Sequence, residues 1–126
     1  MSKKLILAAL ASAVLFAGPA LAEGDAAKGE KVFAKCKACH ENEKGVNKVG
    51  PTLKGVVGRK AASVEGYKYS EAMLAKGAEG VVWDEATLGV YLVDPKTFVP
   101  KTKMAFVGLK KPEDVADVIA YLKAHP

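Results

Sequence analysis

Two cysteines three residues apart with a histidine directly behind the second, Cys36-Lys37-Ala38-Cys39-His40, constrain this chain more than any other feature. Cys-x-x-Cys-His is the spacing at which a c-type haem is attached. Haem carries two vinyl groups along one edge, and thiols at i and i+3 of one helical turn each add to a vinyl as a thioether. His40 then falls under the iron as the proximal ligand, at little entropic cost, because two covalent bonds already hold the ring system against the chain. The motif predicts one haem c, covalent through Cys36 and Cys39.

Three other readings of the motif fit less well. A zinc site needs about four ligands, usually from two such pairs, and the chain has two cysteines and two histidines in all, with His125 next to the last residue. A thioredoxin-like dithiol closes a strand in a βαβ pattern, yet Asp25 to Lys35 reads as a helix. A structural disulfide suits an exported protein but gives the adjacent histidine no role.

Export is itself legible. Lys3 and Lys4 precede an apolar stretch from Leu5 to Ala17, then Gly18-Pro19 and the small-residue site Ala20-Leu21-Ala22, the pattern of a cleaved secretory signal peptide. The apolar run is shorter than the roughly 20 residues that span a bilayer. The expected organisation is a signal peptide over residues 1–22, cleaved after Ala22, and a single domain over 23–126 delivered to the periplasm.

The whole chain carries 19 Lys and Arg against 14 Asp and Glu. Losing Lys3 and Lys4 leaves 17 against 14, a formal charge of +3, which two haem propionates would lower further. Such a balance decides little unless the lysines gather on one face. No basic block interleaved with aromatics occurs, which argues against a nucleic-acid partner.

The mature sequence reads as all-α, with helices joined by glycine- and proline-rich loops. The first helix is expected from an Asp25 N-cap to the haem motif, with Gly29, Val32, Phe33 and Cys36 on one face. The last opens with Pro112, carries Glu113 and Asp114 at the positive end of its dipole, and buries Val115, Val118, Ile119 and Leu122. Packing the Gly29 side of the first helix against the Val118 and Tyr121 region of the last would close the domain. Ser70 can cap a short helix ended by Gly77, and Asp84 another from Glu85 to Val93, stopped by Pro95. Val56-Val57 and Val81-Val82 are too short for strands, and Glu41 to Gly66 reads as loop over one haem edge.

Met104, Met73, His125 and the lysines are the candidates for a second axial ligand. Met73 has a helical context, where methionine usually fills space, and a terminal histidine is usually solvated. Met104 ends the irregular segment Pro100-Lys101-Thr102-Lys103-Met104, and a loop can offer a thioether to iron without breaking helix packing. A soft thioether favours ferrous iron and raises the potential relative to two imidazoles.

Behind the haem motif come Gly50-Pro51-Thr52-Leu53, Gly58-Arg59-Lys60, Tyr69-Ser70, Trp83-Asp84, Tyr91-Leu92, Asp94-Pro95-Lys96, Pro100, Thr102-Lys103-Met104-Ala105-Phe106 and Ile119-Ala120-Tyr121-Leu122-Lys123. In order and spacing this resembles the class I cytochromes c, and bacterial cytochromes c2 in particular, over residues 24–124. The resemblance implies a compact fold of helices wrapped around one haem with the terminal helices packed together, and His40 and Met104 as axial ligands. It further implies that Pro51 accepts a hydrogen bond from His40, that Arg59, Tyr69 and Trp83 hold a buried propionate, that Tyr91 donates towards the Met104 sulfur, and that Phe106 covers the haem edge. On sequence alone Trp83 and Tyr91 read as core aromatics. Two positions depart from the mitochondrial relatives. Lys101 stands where they usually carry glycine, and Met73 where they often carry a polar residue near the inner propionate.

With six ligands filled, iron has no open position for a substrate, so the expected function is a one-electron carrier and not an enzyme. By resemblance its donor is a bc1-type complex and its acceptor a terminal oxidase or photosynthetic reaction centre, met as a monomer. Lys35, Lys37, Lys48, Lys96, Lys101, Lys103, Lys110 and Lys111 lie beside the haem-bearing segments and could steer docking to acidic partner faces. The alternative is a small haem enzyme or gas-binding protein with an open sixth site. In cytochromes c′, which belong to that class, the haem motif lies near the C-terminus, whereas here it lies near the mature N-terminus.

Overall fold

The structure, a computed structural model, describes residues 23–126. The expected signal peptide over 1–22 lies outside the described residues. Five helices follow in chain order: α1 (Ala26–Phe33), α2 (Glu71–Ala78), α3 (Glu85–Tyr91), α4 (Pro95–Phe98) and α5 (Pro112–Lys123). Among the described residues the only β pairing is an isolated antiparallel bridge between Lys60 and Val82, so the all-α expectation holds.

Asp25 caps α1, its side chain accepting from the amides of Ala27 and Lys28. The helix ends at Phe33, short of the haem motif. The chain then continues through tighter turns in which the Lys35 and Cys36 amides reach the Val32 and Phe33 carbonyls. One α-type turn reappears where the His40 amide donates to the Cys36 carbonyl at 2.9 Å, which places Cys36, Cys39 and His40 at the first, fourth and fifth positions of a single turn.

α1 packs on α5. Gly29 is the point of closest approach, since a Cβ there would collide with the Asp117 carbonyl and lie 2.8 Å from the Tyr121 Cβ. Phe33 packs on Tyr121 in a tilted pair with ring centroids 5.1 Å apart and is 1 % exposed. α5 buries Val115, Val118, Ile119, Tyr121 and Leu122. That is the expected stripe with Tyr121 added.

Two further helix ends differ from expectation. α2 runs past Gly77, which is buried against the Ala61 carbonyl, and it is Gly80, at φ +82°, that turns the chain. α3 stops at Tyr91, and Pro95 opens a further helix where a simple stop was expected. Asp94 accepts from the Thr97 amide and proline needs no amide partner at a helix's first position, so α4 starts there. Glu41 to Gly66 is loop, as expected.

Candidate haem site

A cavity of about 420 Å³ opens between these elements. Cys36, Cys39 and His40 line it from the turn after α1, Pro51 and Arg59 from the long loop, Trp83 and Tyr91 from the start and end of the α3 region, and Met104 and Phe106 from the segment between α4 and α5. Tyr69 also lines it. Every site residue expected from the sequence is therefore gathered at one cavity.

His40 is fixed on two sides. Its Nδ1 lies 2.7 Å from the Pro51 carbonyl, and a carbonyl only accepts, so Nδ1 carries the proton and Nε2 keeps its lone pair. Burial, aided by the positive Arg59 and Lys48 and opposed by the Pro51 hydrogen bond, pushes the imidazole below its usual pKa. A neutral ring with a free Nε2 is the form that ligates a metal. Gly50 lies flat against the imidazole, where any side chain would strike the ring.

Met104 is delivered by a turn. Val99 and Thr102 close it through a 3.1 Å amide-to-carbonyl bond, with Pro100 at the second position and Lys101 at the third, at φ +61°. A turn of this kind with proline second needs a positive φ third, which glycine adopts freely. Lys101 keeps the glycine-like backbone without the glycine. The Met104 amide then donates to Thr102 Oγ1 at 3.2 Å. Tyr91 Oη lies 3.7 Å from the Met104 sulfur; burial pushes the phenol up to about 12, so it remains a donor.

Arg59 and Trp83 are joined through the backbone, the Trp83 amide donating to the Arg59 carbonyl at 2.8 Å. The Arg59 guanidinium donates to the Lys54 carbonyl, and its burial lowers its pKa, against the opposing effect of Tyr69. Tyr69 Oη accepts from the Val64 amide at 3.0 Å. Trp83, Tyr91 and Phe98 pack with centroids 4.7 to 6.0 Å apart, so the two aromatics are core residues and cavity lining at once.

The other ligand candidates separate. Met73 lines the cavity from α2, the helical setting that speaks against ligation. His125 is outside the cavity, half-buried on the Tyr121 ring with its Nδ1 2.8 Å from the Tyr121 carbonyl, where a solvated terminus was expected. Sequence reasoning passed over Tyr67, which lines the cavity, donates to the Val49 carbonyl at 2.9 Å and lies under the Lys103 ammonium. It also passed over Glu41, whose carboxylate accepts from Thr52 and from three amides of its own loop and is held down to about 2 by them. A tyrosine two residues before Tyr69 and a glutamate directly after the haem histidine were the available signals.

Both thiols are free, and burial raises the Cys36 pKa, with Cys39 adding and Lys35 opposing. Among the described residues no three His, Cys, Asp or Glu side chains converge on a metal-sized site. Haem fits the residues present: two thiols on one turn, a neutral imidazole with an open nitrogen, a thioether, and an apolar, aromatic-walled cavity. That donor set matches haem c.

The cytochrome c family model matches residues 26–126. The chain is 49 % identical over 121 residues to cytochrome c2 of Rhodomicrobium vannielii, covering 95 % of this chain and 94 % of that protein. It is 50 % identical over 124 residues to cytochrome c-554 of Methylosinus trichosporium, covering 95 % and 92 %. The solved structure of cytochrome cH from Methylobacterium extorquens superposes with a TM-score of 0.73 at 56 % identity, over 80 % of this chain and 99 % of that one. The protein belongs to the cytochrome c family. Within it, the chain is a class I c-type cytochrome close to the cytochromes c2, an electron carrier and not an enzyme, holding one haem c through Cys36 and Cys39.

Proposed function

We propose that His40 and Met104 are the two axial ligands, and that the mature chain, 23–126, is a periplasmic carrier of single electrons from a bc1-type complex to a terminal oxidase or photosynthetic reaction centre. The observation that carries this reading is that both side chains at the one cavity are already oriented by a partner: His40 by the Pro51 carbonyl at 2.7 Å and Met104 by the Tyr91 hydroxyl at 3.7 Å. Held by Cys36, Cys39, His40 and Met104, haem c would supply one exchangeable electron. The chain's own residues set the conditions. Pro51 makes the imidazole a stronger donor, Tyr91 draws density from the thioether, and Arg59, Tyr69 and Trp83 face the cavity where a propionate would need compensation. Phe106, which lines the cavity, would cover the haem edge.

The eight lysines near the haem-bearing segments support docking to acidic partner faces. Among the described residues none of them forms an ion pair; Lys48, Lys103 and Lys110 instead donate to backbone carbonyls. The signal peptide reading of residues 1–22 supports export, and no helix of the described residues is long and apolar enough to cross a membrane.

The test is the absorption spectrum of the purified oxidised protein at neutral pH. The expected result is the weak red band of a methionine sulfur on ferric haem, lost in Met104→Ala. A high-spin spectrum, with rapid carbon monoxide binding by the reduced protein, would overturn the closed carrier in favour of an enzyme or gas-binding protein.

A further inference from the structure

We infer that Glu41 is a positioning residue for the His40 imidazole: its carboxylate gathers the loop that carries Pro51 and so sets the hydrogen bond that orients the ring. The inference rests on His40 as an axial ligand and extends that reading to a residue outside the cavity wall.

Four donors converge on one carboxylate. Oε2 accepts from the Glu43 amide at 3.0 Å and the Lys44 amide at 2.7 Å. Oε1 accepts from the Val46 amide at 2.7 Å and from Thr52 Oγ1 at 2.6 Å. The three amide bonds wind residues 41–46 into a tight turn completed by Gly45 at φ +72°. The fourth bond leaves the turn and crosses to the residue directly after Pro51.

Backbone bonds complete the clasp. The Gly50 amide donates to the Cys39 carbonyl and the Leu53 amide to the Glu41 carbonyl, each at 2.8 Å. Residues 50–53 are thereby laid beside residues 39–41 and pinned at both ends, with the Pro51 carbonyl between the pins. Thr52 is held again by its amide, which donates to Asn47 Oδ1 at 3.0 Å. Pro51 has no amide of its own to fix its plane, so its neighbours determine where its carbonyl points.

All four partners of Glu41 are donors, so the position demands two acceptor oxygens. Glutamine offers one oxygen and turns an NH2 group on the remaining donors. The exposed amides of Glu43, Lys44 and Val46 can turn to water, but the buried Thr52 loses its carboxylate partner and residue 52 is released. The Nδ1–H···O bond then loosens, imidazole donation to iron weakens, and the ferrous state gains.

The experiment uses the mature holoprotein as wild type, Glu41→Gln, and Thr52→Val, which removes the cross-loop hydroxyl together with the bond it accepts from the Lys54 amide. Two readouts are taken: the deuterium exchange rate of the His40 Nδ1 proton in the reduced, diamagnetic protein by NMR, and the reduction potential. The expected result is exchange about tenfold faster in Glu41→Gln, the loss of roughly one hydrogen bond. A smaller increase is expected in Thr52→Val, with a more positive potential in both and wild-type values restored in Thr52→Ser. Faster exchange of the Lys44 and Val46 amides with an unmoved His40 proton and potential would overturn the proposal and leave Glu41 a clasp of its own loop. Where Glu41→Gln gives no folded holoprotein, Thr52→Val decides by the same two readouts. A wild type whose labelled His40 nitrogen shows no iron-induced shift would remove the ligand reading instead, and the proposal with it.

Discussion

The carbonyl of Asp117 on α5 lies directly over the Cα of Gly29 on α1, leaving no room for even a methyl group at residue 29. Both partners in this contact are backbone, which cannot swing aside as a side chain can. Gly29→Ala should therefore force the helices apart, at roughly 2–3 kcal/mol, despite the better helix propensity of alanine. Denaturant unfolding of the holoprotein measures it. An unchanged midpoint would mean that the α1–α5 contact is less tight than described.

Gly29 also shows what the sequence could and could not tell. A glycine in mid-helix is costly unless something passes close by, so the helix contact was readable from that residue alone. The haem motif, the cap at Asp25 and the stripe of α5 were readable for the same reason: each is a local pattern with a local cause. The short helix α4 was not, because proline signals both the end of one helix and the first position of the next, and only the Asp94 bond to Thr97 decides between them. The Glu41 clasp was hidden because its decisive partner, Thr52, lies eleven residues away in a loop without period.

Lys101 carries a cost that glycine would not. At φ +61° a side chain crowds the backbone by about 1 kcal/mol or more. Lys101→Gly should stabilise the holoprotein, though the unfolded chain's added freedom takes back part of the gain. The expected net change is roughly +0.5 kcal/mol, read as a higher denaturant midpoint with the red band unchanged. A lower midpoint would show that the lysine side chain holds the turn.

Tyr91 donates to the Met104 sulfur and thereby withdraws density from it. Tyr91→Phe removes the hydroxyl while keeping the ring packed on Trp83 and Phe98. If Met104 ligates the iron as proposed, a sulfur relieved of that bond donates more strongly and favours the ferric state. The potential should fall by roughly 20–40 mV, the equivalent of about 0.5–1 kcal/mol for one electron. Voltammetry checks it, and a rise would rule out the donor role.

Asp84 and Asp94 cap α3 and α4, and both carboxyls are held below their usual pKa by hydrogen bonds from Thr87 and Thr97. A depressed folded pKa adds stability that is present above the unfolded value, about 3.9, and is lost as pH falls through the folded one. Asparagine caps as well but does not titrate there. The Asp84→Asn, Asp94→Asn double variant should lose less stability between pH 5 and pH 3, windows set by those reference values, than the wild type. Parallel acid limbs in denaturant titrations at the two pH values would contradict the assignment.

Removing the haem should unfold most of the chain. Emptying the cavity of about 420 Å³ costs the packing contacts that its apolar walls would make with the haem. The walls cannot simply close over it, because Leu88 and Tyr91 are held on α3, capped by Asp84, and Trp83 is fixed just before that cap by its amide bond to the Arg59 carbonyl. Water entering through the mouth would spare part of the cost while exposing those same apolar walls. The mature apoprotein should therefore show little helical circular dichroism and no cooperative thermal transition. A sharp transition with near-native helix content would instead show that the α1–α5 contact, with Phe33 and Tyr121 at its centre, is enough to fold the chain without its cofactor.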